Sequence, residues 1–302
     1  MKKWIKRLAL AVTGLGLFIQ GGFTAQAAES WDKPAVVYGS GLSEAERNQT
    51  AVQLGVNDQD VNEITIDSTD FEKYLGYPTN DASMISSVAV KRTGKSGGVN
   101  VTISTPKNIT LITKEQYMNA AFTAGVENAD IDVASVRQVT GESALTGVYK
   151  AFEANGETLD NDRMEVAQEE LETTSGIAKD LNDDQSSHLD AAIIEIKQQL
   201  AALKERTDKL ATREDIEKII NDALAKYDLS SVISKDQIDR LISLFEKYQK
   251  TGAIDSAKIK EQLGNLKNKL GKVWQEAEES GLLDKIGQFF RDIWQAILDL
   301  FN

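Results

Sequence analysis

ITKEQYMNAAFTAGVENADIDVASV, Ile112 to Val136, is the second of two stretches with the same plan. The first, LSEAERNQTAVQLGVNDQDVNEITI, runs from Leu42 to Ile66, 70 residues earlier, and the offset aligns Ser43 with Thr113, Ala51 with Ala121, Gly55 with Gly125, Val56 with Val126 and Asp60 with Asp130. Each reads as a cap, a helix, a glycine stop and a strand. Ser43 with Glu46 three residues on is a capping box. Glycine suits the left-handed position that ends a helix, and the valine after it supplies the accompanying apolar contact. The pair therefore predicts two related helix-strand units on one sheet.

Further strands flank these units. PAVVYG and Met84 to Arg92 are short apolar runs, a short helix spans Asp70 to Leu75, and Val99, Val101 and Ile103 alternate with Asn100, Thr102 and Ser104 at the period of a half-buried strand. Between the last two strands lies TGKSGG, which contains the tripeptide that ends a P-loop. A P-loop needs a glycine five residues before the glycine of GKS and a helix directly after it. Ala89 stands at the first place and a strand follows at the second. This reads as a hairpin loop and excludes a nucleotide site of that kind.

After Gly156 the pattern becomes helical. Leu189, Ile193, Ile196, Leu200, Leu203 and Leu210 follow a 4-3 spacing interrupted at Thr207, as in a helix packed along a seam. Thr212 with Asp215 and Ser234 with Gln237 open two more helices. Another runs from about Asp255 to Glu279. The reading is an α+β domain over residues 28–156 and an all-α helical domain over 157–281, with a terminal amphipathic helix over 282–302.

The two ends carry different signals. Lys2, Lys3, Lys6 and Arg7 precede an apolar run from Leu8 to Ile19 and then Ala25-Gln26-Ala27. That is the form of a secretory signal peptide cut after Ala27, with Ala25 and Ala27 as the small cleavage residues. A chain with 34 basic and 47 acidic residues is left, after that cut, with 30 against 47. Such a charge repels phosphate backbones, so nucleic acid is not an expected partner. There is no cysteine, so an exported chain of this kind relies on its core rather than on disulfides. At the other end Phe289, Phe290, Ile293, Trp294, Ile297 and Phe301 share one side of a helix whose opposite side is polar. The expected cover for that side is the helical bundle, a membrane surface, or a partner protein or second copy.

ISSVAV, ITKEQYMNAAFTAGVENADIDVASV and GESALTGVYKAFE resemble the YpuA-like family of exported proteins from low-GC Gram-positive bacteria, a domain of unknown function, and the ending FFRDIWQAILDLFN is similar to family C-termini. The chain departs from the family pattern at Ser143, where a threonine-alanine pair is usual, and near Arg137, where a proline is. The resemblance implies a secreted or envelope-associated protein and supplies no catalytic residue.

Chemical signals are sparse. His188 is the only histidine, in the polar stretch DDQSSHLD, which excludes multi-histidine zinc sites and offers no nucleophile elbow. Asp58, Asp60 and Asn62, with Asn128, Asp130 and Asp132 in the second copy, have the 1, 3, 5 spacing that begins a calcium loop. The EF-hand pattern then stops: Glu63 stands at position 6 and Thr69 at position 12. In a strand the same spacing only places side chains on one face. Leu145, Val148, Tyr149 and Phe152 fit a helix covering the sheet. Taken together, the sequence predicts an exported, envelope-associated binding or scaffold protein that is not an enzyme and needs no cofactor. The alternatives are a carboxylate-dependent envelope hydrolase and a structural or stress-related envelope protein without a ligand.

Overall fold

The computed structural model describes residues 31–94, 98–255 and 257–269. Ala25, Ala27 and the whole apolar face from Phe289 to Phe301 lie outside the described residues. The chain order is β1 (Ala35–Gly39), α1 (Glu44–Gln53), β2 (Asn62–Ile66), α2 (Ser68–Leu75), β3 (Ser87–Arg92), β4 (Val99–Ile103), α3 (Lys114–Ala124), β5 (Ala129–Ala134) and α4 (Ser143–Ala154). The helices α5 (Asn161–Ala178), α6 (Asp183–Thr207), α7 (Arg213–Lys226), α8 (Lys235–Tyr248) and α9 (Ala257–Lys269) follow.

The strands form one mixed sheet in the order β2-β1-β3-β5-β4, in which β3 alone runs against its neighbours. This corrects the expected hairpin. β3 and β4 are not partners, because β5 lies between them. Asn128 ties the residue after β3 to the residue before β4. Its side-chain oxygen accepts from the Gly98 N–H at 3.1 Å, and its carbonyl accepts from the Thr93 N–H at 2.9 Å and from an Arg92 guanidinium N–H at 3.1 Å. A local alternation pattern reads each strand but not its neighbour, so β3 and β4 looked like a pair.

The two glycine stops match in detail. Gly55 has φ of 68° and Gly125 of 96°. The Val56 N–H bonds the Ala51 carbonyl as the Val126 N–H bonds that of Ala121, and Gly55 and Gly125 repeat the inner bond to Val52 and Phe122. Both are Schellman endings. Yet the helices lie on opposite faces. Val56 and Leu54 of the first unit pack with Val36, Tyr38, Ile85 and Ala89 on the outer face, whereas the residues of α3 join Val99, Val101, Ile131 and Val133 in the larger core on the inner face. β1, β2, β4 and β5 all point one way, and both crossovers step the same way across the sheet. The two units consequently have crossovers of opposite hand, although right-handed ones strongly predominate in general.

On the inner face α4 buries Leu145, Val148, Tyr149 and Phe152 over β1 and β3. Gly147 permits the approach: a Cβ there would lie 2.9 Å from a Val88 methyl. α5 packs directly on α3, and one apolar cluster runs from Val37 of the sheet to Leu266 of α9. The change near Gly156 is thus a change of architecture within a continuous core. α6 is enclosed from Leu189 to Lys197 on all sides. It departs from the predicted seam at its end, where Asp208 turns into the left-handed region with φ of 54° and leaves Leu210 outside the helix and exposed.

Candidate functional site

The outer face of the sheet is divided. Over β1 it is apolar, with Val36 and Tyr38 packed against Leu54 and Val56 at the end of α1, and Arg47 donates to the Thr65 hydroxyl of β2 at 2.8 Å across the Tyr38 ring. Over β3, β5 and β4 it is polar except at Ala89 and Ala134, which join that apolar cluster. Strand register places Lys91 beside Asp130 and Asp130 beside Asn100, with Ala89, Asp132 and Thr102 aligned in the next row. Successive side chains of a strand alternate between faces, so these residues all share the outer one while Val99, Val101, Ile131 and Val133 take the inner. Lys91 and Thr102 are exposed, and Asn100, Asp130 and Asp132 are half-buried.

This patch is rich in hydrogen-bond acceptors. Asn100 Nδ2 donates to Asp130 Oδ1 at 2.9 Å. Partial burial holds the Asp132 carboxyl above the usual carboxylate range, the Asp130 charge adds to that, and the Thr102 hydroxyl opposes it. Two carboxylates two residues apart on one strand stand about 7 Å from each other. Among the described residues neither carboxylate makes an ion pair.

Of the predicted calcium residues the structure brings together only Asp130 and Asp132. Asn128 is engaged instead with Gly98, Thr93 and Arg92. In the first copy Asp60 pairs with Lys33 at 2.6 Å, Asp58 takes the Asn57 amide at 2.7 Å, and Asn62 begins β2. Among the described residues no group of three or more histidines, cysteines and acids is placed to hold a metal ion. The shared spacing resolves into strand alternation in one copy and surface contacts in the other.

Other charged groups are absorbed by the fold, and local patterns gave no sign of them. Lys197 of α6 is buried beside Glu170 of α5, with Nζ at 2.5 Å from Oε1, 2.8 Å from Thr123 Oγ1 and 3.1 Å from the Asn119 carbonyl. Burial pulls its ammonium below the usual range, and Glu170 resists this. A second buried pair, Lys226 with Glu195 at 3.1 Å, ties α7 to α6. Arg92 lies over the Phe152 ring and reaches Glu157 at 2.9 Å, while Trp31 Nε1 donates to the other oxygen of the same carboxylate at 2.8 Å. Asp190 of α6 is buried against the start of α3, where its Oδ2 accepts from the Thr113 hydroxyl at 3.0 Å and its Oδ1 has no hydrogen-bond partner among the described residues. Burial, then the charge of Glu115, push that carboxyl up to about 8. Ser143 shares a buried 2.6 Å contact with the Ser86 hydroxyl. His188 is half-buried, and its Nδ1 donates to the Tyr227 carbonyl at 3.0 Å.

Comparison with known proteins places this geometry among relatives. A family model described as a protein of unknown function, DUF1002, matches residues 38–266. A Bacillus subtilis (strain 168) protein described as uncharacterized protein YpuA is 33% identical over 308 residues, an alignment that covers 100% of each chain. No solved structure matches.

Proposed function

The chain belongs to the DUF1002 family of proteins of unknown function, and from that premise we propose that it is an exported, non-catalytic binding or scaffold protein of the cell envelope that receives its partner on the polar half of the sheet's outer face. One observation carries the reading. Leu54 and Val56 cover the apolar part of that face over β1, whereas Lys91, Asn100, Thr102, Asp130 and Asp132 form a polar surface over β3, β5 and β4. Exposed sheet faces of this kind are rigid platforms, since each side chain is fixed by its strand register. The envelope location rests on Lys2 to Arg7, the apolar run and Ala25-Gln26-Ala27. A role for Phe289, Phe290, Ile293, Trp294, Ile297 and Phe301 as a second contact, with a membrane surface or a partner, belongs to the same reading.

The test is retention. Washed envelopes from cells producing the full chain should hold the protein, and the double variant D130K/D132K should move to the wash and medium while keeping its melting temperature. Equal retention of both forms would remove the sheet face from the account, and a cytoplasmic pool alone would remove the envelope.

A second reading, a carboxylate-dependent envelope hydrolase, is favoured by the raised Asp132 beside Asp130, because glycosidases pair an acid with a base at comparable separations. Release of soluble fragments from purified cell walls, lost in Asp132→Asn, would establish it in place of the first.

A further inference from the structure

The edge of the sheet beside the polar face has its own chemistry. In the parallel β4-β5 ladder the Ala129 N–H bonds the Gly98 carbonyl and the Ser104 N–H bonds the Val133 carbonyl. Parallel pairing then assigns the backbone groups of the even-numbered residues 98 to 104 to β5. The N–H and C=O groups of Val99, Val101 and Ile103 consequently point the other way, to the sheet's edge, where no described strand lies. Natural edges are usually blunted by lysine, proline, a bulge or a covering segment. VNVTI carries neither proline nor charge, and its register with β5 runs unbroken through all five residues. The other edge, β2, carries Glu63.

We propose that the β4 edge accepts an extended segment of a partner protein as a sixth strand, and that this segment alternates basic and aliphatic residues. The proposal rests on the reading of the outer face as a binding surface and names the partner's chemistry. A strand laid beside β4 directs alternate side chains to the outer face, level with Asn100 and Thr102. Those two residues are short. A lysine or arginine opposite them extends across β4 toward Asp130 and Asp132, the carboxylates without an ion pair among the described residues. The intervening side chains turn to the inner face, beside Val99 and Val101, which favours valine or isoleucine. The excess of 47 acidic over 34 basic residues in the chain further steers a basic segment toward it. The same excess disfavours a second copy as the occupant.

Titration calorimetry of the full chain lacking only residues 1–27 provides the test, with an eight-residue peptide alternating valine and lysine as the probe. Binding is expected, weakening with salt. It should fall by on the order of tenfold or more in Asp130→Asn with Asp132→Asn, in Val101→Pro, which removes an edge N–H, and for the same peptide N-methylated throughout, which keeps its charge but has no backbone donors. Because the proline variant risks the fold, the methylated peptide decides the backbone question on the unaltered protein. Equal binding of the methylated peptide, equal binding of a valine-glutamate peptide, an unchanged double asparagine variant, or no binding at all would overturn the proposal. If the peptide fails while envelope retention still depends on Asp130 and Asp132, the edge is wrong and the face stands; binding without such retention gives the reverse.

Discussion

At the scale of single residues, Asp190 shows how a buried group sets the response to pH. Its carboxyl has an ordinary value of 3.8 and is pushed up to about 8 in the fold. Gln116 lies near enough to oppose the shift, yet its Nε2 makes no hydrogen bond of good geometry. The folded protein therefore holds this proton more tightly than the unfolded chain does. Linkage then fixes the sign: the contribution is fully present below about pH 4 and is lost as the pH rises through about 8. Asp190→Asn removes the ionisable group while keeping an acceptor for Thr113. The variant should gain on the order of 2 to 5 kcal/mol over the native protein at pH 8, given about 1.4 kcal/mol for each tenfold change in proton affinity, and about nothing at pH 4. Chemical denaturation at the two pH values measures this, and equal gains at both would show that the carboxyl is not the cause. Sequence gave no hint of Asp190, because its burial comes from α3, 77 residues away by the Thr113 contact.

Elements were more legible than their arrangement. Ser43 with Glu46, Thr212 with Asp215 and Ser234 with Gln237 all form capping boxes in the structure, since a cap is made by residues three apart and nothing distant can veto it. The glycine stops at Gly55 and Gly125 are local in the same way. What local rules could not carry is the choice of face and neighbour: α1 and α3 went to opposite sides, and β5 inserted between β3 and β4. The polar patch was half visible, as the 1, 3, 5 spacing of Asp130 and Asp132, but its partners Asn100 and Thr102 come from a strand whose place is set by tertiary packing. The two stops also differ in surroundings, which separates their mutational costs. A Cβ at Gly55 meets nothing within 4 Å, whereas at Gly125 it falls 3.1 Å from the Arg163 guanidinium that donates to the Thr123 and Phe122 carbonyls. Gly55→Ala should cost about 1 kcal/mol, the left-handed penalty alone. Gly125→Ala should cost about 1 to 2 kcal/mol more, because it also disturbs hydrogen bonds to a charged group. Urea melts of both variants check the difference; equal costs would mean that Arg163 does not hold the end of α3.

At the scale of the whole molecule the sheet and the helices are joined through α3, and the junction contains charge. Lys197, Glu170 and Thr123 bring α6, α5 and α3 together at a buried point beneath the Tyr248 ring. Removing one partner of such a pair strands the other without solvent, which typically costs about 3 to 5 kcal/mol, while replacing both by apolar residues is often close to neutral. Lys197→Met should therefore be strongly destabilising, and adding Glu170→Met should recover most of the loss in the same urea melt. Additive losses would mean that the two side chains act independently. This continuous core makes the outer face a fixed platform, and the central claim is that the platform meets a partner in the envelope. A photo-cross-linking amino acid at Thr102, compared with one at the exposed Glu217 of α7, tests that claim most directly in living cells. The account predicts a discrete cross-linked species from position 102 that disappears in D130K/D132K and is absent from position 217. No cross-link from 102, or the same products from both positions, would contradict it.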